Sequence, residues 1–198
     1  MTDLESKKRA LIKVLPNILT ITRIGAIPFL LILFPIDFYY TRVFCALLFM
    51  VAALTDFFDG YLARKYDNIT PVGSLLDPIA DKLLMSAGLI ALCYEQIIPP
   101  ILVGALICRD LAINGLRLVA KEQNLTISVS QFGKWKTTFL GIAIFCLMIN
   151  DNERFFQIPL RTIGLTSIWI ALALSLISAW LYGKAFLEKA KITPFEQS

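Results

Sequence analysis

From Thr55 to Lys82 the chain reads TDFFDGYLARKYDNITPVGSLLDPIADK, which sets four aspartates between two long apolar runs. Asp56 and Asp59 stand three residues apart, and Asp77 and Asp81 four apart. On a helix, at about 100° per residue, either spacing puts both carboxylates on one face. Gly60 and Ala63 fall on the first of these stripes and leave it unobstructed, so a nucleotide can approach the backbone there. The short link between the runs makes the two helices antiparallel neighbours, and all four carboxylates then converge at one depth. An ionised group inside a membrane costs at least a few kcal/mol, so it marks function by default. Four anions in one place repel one another, and only Arg64 and Lys82 are near in sequence to offset them. Hard divalent cations with oxygen ligands, Mg²⁺ or Mn²⁺, fit this set. Two such ions would clamp a diphosphate and stabilise both the attacking and the leaving oxygen.

The rest of the chain makes lipid its solvent. Of its 198 residues, 57% are hydrophobic, against roughly 45–50% for soluble domains, and the mean hydropathy is +0.70. A span needs roughly 20 mainly apolar residues. Six segments qualify, near Asn17–Pro35, Phe38–Arg64, Asp77–Tyr94, Pro99–Ala120, Phe132–Asn150 and Leu165–Leu187. Pro35, Asp37, Pro71, Gly73, Pro99 and Pro100 read as breakers between them. Asp77 before Pro78 reads as a cap followed by a first-turn proline. The expected architecture is a single all-α membrane domain over residues 1–198. It has a charged surface helix over 1–14 and a six-span bundle over 15–190. The last span reads only as an apolar helix.

Charge placement orients the bundle. With six spans, thirteen of the nineteen Lys and Arg residues fall on the side of the termini. Arg42, Arg154 and Arg161 fall opposite, and Arg23, Lys82 and Arg109 within spans. The positive-inside bias then predicts both termini, and the carboxylate site with them, in the cytoplasm. The chain has no histidine, which excludes His triads, His metal sites and His bases. Its four cysteines lie in apolar stretches without metal-ligand spacing and read as buried small hydrophobes. A nucleic-acid partner needs a basic soluble face, and none is present.

The pattern D-x-x-D-G-x-x-A-R, then eight residues, then G-x-x-x-D-x-x-x-D is filled by Asp56, Asp59, Gly60, Ala63 and Arg64, then Gly73, Asp77 and Asp81. Here the sequence resembles the CDP-alcohol phosphotransferase family. The resemblance implies a six-helix membrane fold, a homodimer, and a cytoplasm-facing site with two metal ions. It implies that Asp56, Asp59, Asp77 and Asp81 ligate metal and that Asp81 is also the catalytic base. It implies CDP contacts from Asp56, Gly60, Ala63, Arg64 and Gly73, with Arg64 on the diphosphate. Further matches follow at Pro16 to Thr20 with Arg23, at Arg109-Asp110, at Gly115-Leu116-Arg117 and at Gly133 to Thr137. They resemble the bacterial branch that transfers the phosphatidyl group of CDP-diacylglycerol to glycerol 3-phosphate at the inner membrane. That branch commonly has Glu where Asp110 stands.

Arg109, Arg117, Lys134 and Lys136 read as a basic pocket for the acceptor's phosphate. Ser130 and Thr137 are candidate hydroxyl donors beside it, and Asn17, Thr20 and Arg23 candidates to close it. Within the family, inositol phosphate, serine and phosphatidylglycerol are the alternative acceptors. A prenyltransferase needs two separated aspartate motifs and more spans. A divalent-cation transporter needs polar residues through the whole membrane thickness, which the first and last spans lack.

Overall fold

The computed structural model describes residues 21–36, 38–66, 71–123, 125, 131–149 and 159–192, with the side chains of 56–66, 71–78 and 190–192 outside the described set. Among the described residues there are six helices and no strand. They are α1 (Ile21–Leu33), α2 (Tyr39–Tyr66), α3 (Pro71–Tyr94), α4 (Pro100–Glu122), α5 (Gln131–Ile149) and α6 (Leu160–Ile192). The charged N-terminal segment expected as a surface helix lies outside the described residues.

Several helix ends have a local cause. α1 runs into a turn at Phe34 and Pro35. Pro100 opens α4 behind an extended Pro99, where a missing backbone N–H costs nothing. α3 begins at another proline, Pro71. The third helix therefore starts six residues before the expected Asp77, and the expectation of a cap there is corrected. Gly73 and Asp77 lie within α3, and Pro78 is inside it as well. Neighbouring helices make an interior proline tolerable in a membrane bundle. α6 is likewise longer than the apolar window Leu165–Leu187, with 33 residues. Hydropathy marks the lipid thickness, whereas the helix continues past it at both ends.

The core is built from every helix. Leu30 of α1 and Phe34 just after it, Phe49 of α2, Leu84 and Leu92 of α3 and Leu106 of α4 meet Leu140, Ile144 and Leu147 of α5 and Ile168 of α6. The most extensive packing is between α5 and α6. Small residues let the backbones approach. A Cβ on Gly164 would stand 2.6 Å from Leu147 Cγ and 3.3 Å from the Ala143 carbonyl oxygen. A Cβ on Gly88 would stand 2.7 Å from Ile144 Cγ2. Small residues at helix contacts are how bundles pack where lipid removes the hydrophobic drive between helices.

Outward faces are apolar too. Phe29, Phe44, Leu83, Ile101, Ile142 and Leu176, one on each helix in order, are exposed. Patches of that extent suit lipid and not water. Two helices, Gln131–Ile149 and Leu160–Lys189, are long and apolar enough to cross a membrane. α4 has the length, but Arg109, Asp110 and Arg117 interrupt it.

At one end of the bundle, Arg42 of α2 and Glu95 just after α3 form an ion pair at 2.7 Å, with Arg42 also over the Phe34 ring at 5.8 Å. The opposite end, where α3 starts, α4 finishes and α5 starts, holds the polar cavity.

Candidate active site

Three stripes of side chains make the cavity, which has a volume of about 200 Å³. α3 supplies Asp81, Lys82, Met85, Ser86 and Leu89 from its middle turns. α4 supplies Leu106, Asp110, Ile113, Asn114 and Arg117 at helical spacing, with Arg109 beside them. α5 supplies Gly133, Lys136, Thr137 and Leu140, again one face of a helix. Lys134 is off that stripe and stands on the exposed side of α5.

Asp81 is half-buried in the α3 wall. Asp77 stands one turn before it on the same helix, and Asp56 and Asp59 lie on α2, which packs against α3. The side chains of Asp56, Asp59, Gly60, Ala63, Arg64, Gly73 and Asp77 lie outside the described residues. The donor chemistry fits a hard cation: four carboxylates on two packed helices, one of them lining a polar cavity.

Opposite Asp81 is a charge network. The Lys136 side chain is only 4% exposed, yet its ammonium donates to both Asp110 oxygens, at 2.6 Å to Oδ1 and 2.5 Å to Oδ2. A lysine buried to that degree is tolerated because it is paired and hydrogen-bonded. Arg109 donates from Nη1 to Asp110 Oδ1 at 2.9 Å, from Nε to the Ser175 carbonyl oxygen at 2.9 Å, and from Nη2 to the Ser178 hydroxyl. All three guanidinium nitrogens therefore meet protein acceptors. Arg117 is exposed and lies over the Tyr182 ring at 5.6 Å. Thr137 donates its hydroxyl to the Lys134 carbonyl oxygen at 2.7 Å, as a helix side chain does.

Of the four basic residues read as a phosphate pocket, the fold brings Arg109, Arg117 and Lys136 to one cavity and leaves Lys134 outside. Arg23 is elsewhere. It is buried between α1 and α2, donates to the Ala52 carbonyl oxygen at 3.1 Å, and lines a separate groove with Thr22, Ala26 and Thr55. Asn17, Thr20 and Ser130 lie outside the described residues. Sequence reasoning missed Ser175 and Ser178, because it took the last span as uniformly apolar. Their i, i+3 spacing in that span was the available signal, since polar groups in a span seek partners.

The family model for CDP-alcohol phosphatidyltransferases matches residues 13–177. The chain belongs to that family. Among its relatives, it is 39% identical over 171 residues to a CDP-diacylglycerol–glycerol-3-phosphate 3-phosphatidyltransferase of Rickettsia bellii, covering 86% of this chain and 94% of the relative. The protein of the same name in Bacillus subtilis is 34% identical over 180 residues, covering 85% of this chain and 92% of that one. A CMP-forming cardiolipin synthase of Oryza sativa is 32% identical over 186 residues, which is 85% of this chain and 56% of that protein.

Proposed function

We propose that this chain is a phospholipid-synthesising transferase that moves the phosphatidyl group of CDP-diacylglycerol to glycerol 3-phosphate, giving phosphatidylglycerol phosphate and CMP. The observation that carries the reading is one cavity with Asp81 in one wall and Arg117 and Lys136 in the others. A small acceptor with a hydroxyl at one end and a phosphate at the other needs a base in one wall and cations in another. The names of the Rickettsia bellii and Bacillus subtilis relatives point to the same acceptor.

Asp81 accepts the proton of the acceptor's primary hydroxyl. The freed oxygen bonds to the phosphorus that bears the diacylglycerol, the bond from that phosphorus to the bridging oxygen breaks, and CMP leaves. Asp56, Asp59, Asp77 and Asp81 would hold Mg²⁺ or Mn²⁺, and two ions suit four carboxylates. Bound there, the metal supplies charge stabilisation at the diphosphate. Gly60, Ala63 and Gly73 let the nucleotide approach the helices, with Asp56 beside it, and Arg64 neutralises the diphosphate. The acyl chains stay in lipid.

Six spans in the bacterial inner membrane, with both termini and the site cytoplasmic, form the setting, and the working unit is a homodimer. The apolar outer faces and the Lys and Arg asymmetry support the spans and their orientation. The experiment is CMP release in detergent with Mg²⁺, CDP-diacylglycerol and glycerol 3-phosphate, against the same assay after chelation. Release that needs all three components is expected, and release that survives chelation contradicts the metal assignment.

A further inference from the structure

We infer that α6, from outside the cavity, anchors Arg109, and that Arg109 and Asp110 in turn position the Lys136 ammonium for the acceptor. The inference rests on the functional reading above and refines it at the same cavity.

The chain of contacts runs through three helices. Ser175 and Ser178 of α6 are buried, and the Ser175 carbonyl and Ser178 hydroxyl take two of the Arg109 nitrogens. The third nitrogen goes to Asp110 Oδ1. Asp110 in turn fixes the Lys136 ammonium through both oxygens. A guanidinium has five N–H donors in a rigid fork, and this one is aimed at α6 by geometry a lysine cannot copy. The Lys136 ammonium has three donors, so a donor is left for a phosphate oxygen. Arg117, exposed at the mouth, presents the second cation. Neither Ser175 nor Ser178 lines the cavity. Ser178 reaches the cavity wall by accepting from the Arg109 guanidinium.

Positioning and competition have opposite signs here. If Asp110 and Ser178 only compete with the acceptor for these cations, Asp110→Asn and Ser178→Ala lower KM for glycerol 3-phosphate or leave it alone. If they position the cations, both substitutions raise it.

The test measures kcat and both KM values for wild type, Asp110→Asn, Asp110→Glu and Ser178→Ala in detergent, with thermal unfolding midpoints alongside. Loss of a charge-assisted bond predicts a KM for glycerol 3-phosphate raised about 10-fold in Asp110→Asn. A smaller rise of about 3-fold is expected in Ser178→Ala, which loses one bond at one remove. KM for CDP-diacylglycerol stays at the wild-type value in both, and Asp110→Glu, which keeps the charge, recovers most of the loss. An unchanged or lowered KM for glycerol 3-phosphate in Asp110→Asn and Ser178→Ala overturns the inference. So does a parallel rise in both KM values, which is the mark of general damage. Should Asp110→Asn fail to fold, Ser178→Ala decides by itself. A wild-type protein that does not turn over glycerol 3-phosphate sinks the functional reading instead, which is a different result from a wild type that turns over with unshifted variants.

Discussion

Asp81 and Arg117 line the same cavity, and substitutions at the two are expected to fail in different ways. Asp81→Asn keeps the size of the side chain and removes the proposed base, so CMP release should fall by at least ~100-fold, the usual contribution of a general base. The unfolding midpoint should hold, because the change removes one charge from a cluster of like charges. Arg117→Ala removes a cation that lines the cavity mouth. It should raise KM for glycerol 3-phosphate about 10-fold, with KM for CDP-diacylglycerol unmoved. Asp81 was legible in the sequence because fixed spacing within two adjacent helices makes a motif. The pairing of Asp110 with Lys136 was not, since it joins two helices 26 residues apart. The aim of Arg109 toward α6 was hidden for the same reason: periodicity gives the face of a helix, but not which neighbour that face meets.

Helix contacts explain which small residues matter. Gly164 sits where α5 and α6 touch, and any Cβ there meets Leu147 and the Ala143 carbonyl. Gly164→Val should cost about 1–3 kcal/mol, as overpacking does, read as a lower unfolding midpoint in detergent. Gly104 on α4 has nothing within 4 Å of an added Cβ, so Gly104→Ala should leave the midpoint where it was or raise it. The six helices among the described residues, and their order, were readable from apolar runs and prolines. The start of α3 was not, because Pro71 and Pro78 both satisfy a first turn and the earlier one opens the helix. The ends of α6 were hidden because hydropathy falls where lipid ends, while helical hydrogen bonding continues.

At the scale of the whole molecule, polarity is divided between the two ends of the bundle. One end is closed by the Arg42–Glu95 pair. The other holds the cavity and the aspartate-bearing halves of α2 and α3. Tags at the two termini should both be reached by probes only from the cytoplasmic face, in agreement with the Lys and Arg asymmetry. A terminus reached from outside would remove the six-span arrangement and leave the family and the cavity standing. The measurement that bears most directly on the central claim is CMP release by the purified protein with CDP-diacylglycerol and Mg²⁺, run with glycerol 3-phosphate, inositol phosphate, serine and phosphatidylglycerol in parallel. Release with glycerol 3-phosphate, lost in Asp81→Asn, is the predicted result. Release with phosphatidylglycerol or another acceptor alone would contradict it, and would give the cavity a different substrate.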